Sequence, residues 1–229
     1  MCGRITQKSP PDQLGLRIVT GTPDDPRVKD VPPRYNGAPG QEHWVIRQNH
    51  ETGKRSLDRL WWGLIPYWVK EATGGRWPIN AKSETIVSLP TFREAYKRRR
   101  CLVPIDNFFE WKAIKGAKVK QPYAIAMKSG EPFAVAAIWE NWKRPGSEDW
   151  VRTFCVITCP ANELVADIHD RMPVIIPPES YDRWLGTLEP DPHDLLVPYP
   201  AAPMAMWPIS VRVNKPENDE ASILDFVEA

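Results

Sequence analysis

Proline recurs 25 times among these 229 residues, and that recurrence narrows the available folds more than any other feature. Each proline fixes φ, lacks a donor N–H and biases the residue before it away from the helical region. Long helices are disfavoured, and many short elements joined by stiff connections are expected. The 11 tryptophans supply large flat faces, for a core or for a surface on which ligands stack. With 42% hydrophobic and 26% charged residues, the chain can bury a sizeable core as one large domain or two small ones. Its formal net charge is +1, so an anionic partner needs a locally basic groove rather than a global field. The sequence has neither an apolar run of the roughly 20 residues a membrane span needs nor the basic start and apolar core of a signal peptide. A cytoplasmic protein is expected, with Cys2, Cys101, Cys155 and Cys159 as free thiols.

Taken in order, Ile5 and Thr6 read as a strand, and Ser9 as the cap of a short helix that starts on Pro10 and Pro11 and turns Leu14, Leu16, Ile18 and Val19 inward. Residues 21–33 read as loop, and Arg34-Tyr35-Asn36-Gly37-Ala38-Pro39-Gly40 as a turn. His43–Arg47 and Arg55–Leu64, separated by Glu51-Thr52-Gly53, predict a hairpin. The latter strand runs into Trp61-Trp62-Gly63-Leu64-Ile65-Pro66-Tyr67-Trp68, which is either core or a platform for stacking nucleobases; Gly63 and Pro66 favour an irregular surface. Residues 70–78 read as loop. Thr91-Phe92-Arg93-Glu94 is a capping box opening a helix that ends on Lys97-Arg98-Arg99-Arg100, a solvated helix end or a phosphate contact.

Cys101–Ile105 reads as a β-rich run, and strand patterns at Tyr123–Met127, Phe133–Asn141 and Trp150–Thr158 predict a meander of buried strands. A helix over Ala161–Ile168 leads to Pro173 and the strand Val174–Ile176. A short helix over Glu179–Leu185, a proline-rich link through Pro203 and a β pattern at Ile209–Val213 complete the chain. Neither an internal repeat nor a clean linker divides it, so a single domain over 1–229 is expected.

Four groups carry chemistry. Removal of Met1 would leave Cys2 with an α-amine and a thiol on adjacent carbons, a 1,2-aminothiol whose groups titrate near pH 8 to 8.5 (about 8 and about 8.5). An amine condenses with an aldehyde, and a thiol so placed closes on the imine carbon to give a thiazolidine. Asn80 donates and accepts at once, with Lys82 and Glu84 following at strand spacing. Glu110 lies between Phe109 and Trp111, either in an apolar pocket that raises its pKa or exposed and paired with Lys112. His169 stands at a predicted helix end beside charged residues, a good place for a proton-transfer group. Cys155 and Cys159, without a second close pair, do not make a zinc site.

The stretches MCGR, RYNGAPG, WGLIPYW, INAKSET, CLVPIDNFFEWK and HDRMPVIIP resemble, in order and spacing, the SOS response-associated peptidase (SRAP) family over nearly the whole chain. The resemblance implies an α+β fold with a branched, barrel-like mixed β-sheet flanked by short helices. It implies a DNA damage response protein that captures abasic sites in single-stranded DNA as a thiazolidine crosslink. Cys2 is then the covalent residue, Asn80 holds the opened sugar, Glu110 is the general acid/base and His169 the second proton-transfer group. Arg4, Asn36, Pro39, Trp68, Lys82, Trp111 and Thr158 would line the DNA cleft. Lys82 departs from the family's usual Arg, replacing a planar fork by a point charge. No cofactor or metal is expected, and the chain is expected to act as a monomer, nucleoid-associated when bound to DNA. Two rival readings are a thiol peptidase, acting on itself at Met1 or on other peptides through Cys2 and His169, and a non-covalent reader of modified bases.

Overall fold

The computed structural model describes residues 2–19, 31–71, 77–116, 118–186 and 191–228. Met1, most of the loop expected at 21–33 and the centre of the loop at 70–78 lie outside the described residues. Two sheets form the body of the fold. The first has five strands in the order β13-β8-β7-β1-β2, where β1 is Ile5–Gln7, β2 Arg34–Gly37, β7 Asn107–Lys112, β8 Gln121–Met127 and β13 Met204–Pro208. Every pairing in it is antiparallel.

The second sheet contains β3 (Glu42–Gln48), β4 (Arg55–Trp62), β5 (Asn80–Lys82), β6 (Arg100–Ile105), β9 (Phe133–Lys143), β10 (Trp150–Pro160), β11 (Arg171–Pro173) and β12 (Ile175–Ile176). Its path β10-β4-β3-β6-β9 closes on itself because β9 also pairs with β10. That ring is a small barrel, and closure removes its free edges. Strand β10 is its branch point: parallel to β4 at Thr153 and Phe154, it then runs parallel to β5 from Val156 to Thr158. The branched, barrel-like mixed sheet expected from the family resemblance is therefore the observed architecture. Strand β6 is buried along its whole length, as a continuous apolar run requires when both faces are covered. One core joins the sheets, with Cys2, Ile5, Phe108 and Ile125 packed into the same cluster as Leu60, Trp62, Leu102, Val135 and Val156. Helices are short, at Pro11–Leu14, Arg93–Arg98, Glu163–Ala166 and Tyr181–Leu185. No helix among the described residues is long and apolar enough to cross a membrane.

Several local expectations give way to tertiary contacts. Ser9 caps no helix; its N–H and hydroxyl donate to the Asp106 carboxylate, and Pro10 precedes the helix, which ends at Leu14. Thr91 makes no capping bond, because consecutive turns through Leu89 lead into Arg93–Arg98 and already occupy the first backbone donors. Of the basic run that follows, Arg99 pairs with Glu140, and Arg100 is buried, donating to the carbonyls of Trp184, Tyr96 and Gly186. The expected meander is split: β8 belongs to the first sheet, β9 and β10 to the second. Burial pattern marks a strand but does not say which sheet receives it. The last strand is Met204–Pro208 rather than Ile209–Val213. Ile209 N makes the last bond to β8, donating to Pro122 O, and beyond it the Ser210 hydroxyl accepts from Arg212 N to wind Val211–Asn214 into a 3-10 turn.

Candidate active site

Cys2 lies three residues ahead of the first residue of β1, which is flanked by β2 and β7. That position pins a segment that would otherwise fray, and Cys2 is 0% exposed. Antiparallel pairing sets Ile5 opposite Phe108, and Phe109 N donates to Arg4 O across 3.1 Å. Continued by two residues, this register brings Glu110 beside the Cys2-Gly3 step. On the other side, Asn80 Nδ2 donates to the Cys2 carbonyl across 2.9 Å. Asn80 is held there by β5, whose partner β10 places Val156 opposite it. The Asn80 Oδ1 is buried and has no hydrogen-bond partner among the described residues.

The electrostatics follow from burial. Desolvation pushes the Cys2 thiol well above its ordinary range, the Glu110 carboxylate adds to that rise, and the Arg4 N–H opposes it. The sulfur therefore rests as a thiol. Burial likewise raises the Glu110 carboxyl, against the opposing influence of nearby His169. Glu110 is 1% exposed, which settles the choice between a pocket carboxyl and a surface partner of Lys112 in favour of the pocket. His169 follows the helix Glu163–Ala166, its N–H donating to Val165 O across 2.9 Å. Its Nδ1 lies 3.0 Å from Arg171 N and 2.9 Å from Asp170 Oδ1. It cannot serve both at once. With Nδ1 bare it accepts from Arg171 N, and with Nδ1 protonated it donates to Asp170, so the ring has a partner in either state.

A second cluster adjoins the first. Arg4 Nη1 donates to Asn36 Oδ1 and to Val213 O, each across 2.7 Å, and its guanidinium lies 6.0 Å from the centroid of the Trp111 ring. Asn36 Nδ2 donates to the carbonyls of Val213, Lys215 and Asn218, and Trp111 Nε1 donates to Asn214 Oδ1 across 2.7 Å. Asn36 is fully buried, so it supports Arg4 and the 213–218 segment from beneath. Lys82 is exposed opposite Thr158, two residues along β5 from Asn80. Thr158 is itself buried, its carbonyl taken by Ser83 N and by Arg171 Nη2. Pro39 and Trp68 lie on turns and are bonded to neither cluster among the described residues. The aromatic run divides: Trp62 is buried, whereas Trp61, Tyr67 and Trp68 are 41%, 57% and 54% exposed.

Arg171 and Glu84 form a paired fork that sequence reasoning passed over, with one contact at 2.9 Å, and it pulls the Glu84 carboxyl down to about 2. Their only sequence signal is opposite charge within INAKSET and HDRMP. The 211–219 segment carried none, yet Asp219 accepts from the N–H groups of Tyr35 and Asn36. Among the described residues no group of three or more His, Cys, Asp or Glu is arranged to hold a metal ion.

Residues 1–216 match the family model described as SOS response associated peptidase (SRAP). The chain is 36% identical to the abasic site processing protein YoqW of Bacillus subtilis (strain 168), over 98% of this chain and 99% of that one. It is 32% identical to the abasic site processing protein YedK of Escherichia coli (strain K12), over 81% and 79%, and 29% identical to HMCES of Gallus gallus, which carries the same description, over 86% and 67%. A protein from Bacteroides thetaiotaomicron shares the fold with a TM-score of 0.86, over 99% of this chain and 100% of that one, at 24% identity. A phage-related protein from Bordetella bronchiseptica gives a TM-score of 0.66 over 91% and 94% at 31% identity. By sequence and fold, the chain belongs to the SOS response associated peptidase family.

Proposed function

We propose that this protein processes abasic sites in single-stranded DNA by crosslinking them to Cys2. The observation that carries the reading is the setting of Cys2: fully buried, its carbonyl bonded to Asn80, its thiol within the electrostatic reach of Glu110. The reading also rests on Met1 being removed, since only then is the Cys2 amine free. An abasic sugar interconverts between a closed hemiacetal and an open aldehyde. Glu110, kept protonated more readily by burial, gives a proton to the ring oxygen as the sugar opens, and His169 takes one from the hydroxyl. The Cys2 amine adds to the aldehyde carbon, and the carbinolamine loses water to leave an imine. The thiol then adds across that imine, sulfur to carbon and hydrogen to nitrogen, closing a thiazolidine. The sum is amine, thiol and aldehyde going to thiazolidine and one water.

Asn80 Oδ1 is available as an acceptor for a sugar hydroxyl. Trp68 offers a face to an unpaired base, and Lys82 and Arg4 offer charge to phosphates despite the small net charge of the chain. One chain supplies every residue named, so a monomer suffices.

The test is to incubate the processed protein with an oligonucleotide bearing an abasic site and resolve the products on a denaturing gel. Wild type gives a slow band stable to heat, and Cys2→Ala gives none. Cys2→Ser gives a band only after borohydride reduction, because the imine forms but no sulfur closes the ring. Equal bands from wild type and Cys2→Ala would overturn the reading.

A further inference from the structure

Beside the site lies a cavity of about 610 Å³ lined by Trp61, Ile65, Glu71, Trp77, Trp142, Arg144, Pro145 and Val151. None of these residues belongs to the chemistry described above. Its size falls in the range of roughly 300–1,000 Å³ typical of small-molecule sites, and three of its walls are indole rings. Two elements anchor it to the proposed DNA path. Trp77 precedes Asn80 by three residues, which limits their Cα separation to about 11 Å. That segment is fixed, with Pro78 O accepting from Leu64 N and Ile79 O from Val156 N and Trp62 Nε1. In addition, Trp142 Nε1 donates to Val69 O across 2.7 Å, tying the cavity wall to the residue that follows Trp68. The cavity lining is thus linked on one wall to the turn that bears Trp68 and on another to the strand that bears Asn80.

We propose that this cavity is a second subsite of the DNA path, holding one unstacked nucleobase of the strand that carries the lesion. The inference rests on the abasic-site reading above. Stacked nucleotides advance about 3.4 Å along a strand, so a base within about three nucleotides of the lesion reaches the cavity. The indoles of Trp61 and Trp77 supply faces on which any base stacks. Arg144, exposed on the turn after β9, supplies a cation for the adjoining phosphate. Glu71, an acceptor only, favours a base edge that carries an amino group.

The experiment uses an oligonucleotide in which tetrahydrofuran replaces the abasic sugar, so that binding is measured without crosslinking. 2-Aminopurine is placed in turn at each of the nucleotides on either side. Wild type is expected to quench its fluorescence at one position, and Trp61→Ala to abolish that quench and weaken binding about tenfold. Arg144→Ala, at an exposed turn where folding is not at issue, is expected to weaken binding a few-fold and lower the salt slope by about 0.7. Both losses should vanish with an oligonucleotide too short to reach the cavity. Position-independent quenching, or variants that bind the long oligonucleotide as wild type does, would overturn the proposal. A parallel gel with a true abasic site keeps the two readings apart: a crosslink formed by wild type sustains the first whatever the cavity does.

Discussion

Asn80 Nδ2 lies 2.9 Å from the carbonyl oxygen of Cys2, joining a residue of the barrel's branch to one just ahead of the other sheet. The bond fixes the backbone from which both the amine and the thiol of Cys2 project. Asn80→Ala removes it and is expected to slow crosslinking about tenfold, the worth of one hydrogen bond at a buried site. Asn80→Asp should be slower still, since a carboxylate sets acceptor against acceptor. Rates of crosslinked-band formation at saturating DNA check the order.

Glu110 is held in a pocket that disfavours its charge. Glu110→Gln is expected to slow crosslinking roughly 10²- to 10⁴-fold with DNA affinity nearly unchanged. The stability effect has the opposite sign. A carboxyl whose folded pKa is raised binds more protons folded than unfolded, so its contribution falls as pH rises from the ordinary carboxylate range through the folded pKa. Glu110→Gln removes that dependence, and its Tm at neutral pH should match or exceed that of wild type. A lower Tm together with lost DNA affinity would make Glu110 structural.

Asn36 and Lys82 were both expected to line the cleft, and their burial separates them. Asn36→Ala strands three carbonyls and loosens Arg4, with an expected cost of about 2–4 kcal/mol, or a fall in Tm of roughly 5–15 °C. Lys82→Ala should leave Tm unchanged and reduce the salt dependence of binding by about one phosphate contact, a slope change of about 0.7. Thermal melts and salt titrations of the two variants distinguish these effects.

His43 is buried against Trp62 and Phe154, with Nε2 3.0 Å from Ala38 O. Burial moves its pKa from the ordinary 6.5 down to about 4. Between these values the unfolded chain binds the proton and the folded chain does not, so stability falls as pH drops from 6.5 to 4, by about 3 kcal/mol in all. Urea titrations across that window should show the loss, and His43→Leu should flatten it. The ring also fills the space beside Gly37, where an added Cβ would come within 2.4 Å of His43 Cε1. Gly37→Ala is therefore expected to displace the turn that carries Pro39.

Much of this was legible along the chain. Alternating and continuous apolar runs located the hairpin β3–β4 and the strands β6, β8, β9 and β10, because burial on one or both faces leaves its period in the sequence. The aromatic run before Trp68 announced a division between core and surface without saying where it fell. What failed were local signals with a stronger competitor: Ser9 and Thr91 can cap a helix, but Ser9 donates instead to Asp106, and the Leu89 carbonyl takes the first donors after Thr91.

The sequence by itself determined the chemistry on offer: a cysteine after Met1, an amide, a carboxyl among aromatics and a histidine before a proline strand. It also determined the strand content and, with 25 prolines, the shortness of the helices. The tertiary structure alone decided that these groups lie near one another and in what ionic state. Cys2 and Asn80 are 78 residues apart in the chain, and only the pairing of β1 with β7 and of β5 with β10 brings the two arms together. The same pairings exclude water from Cys2 and Glu110, and it is desolvation, a property of the folded interior rather than of any residue type, that raises the pKa of both the thiol and the carboxyl.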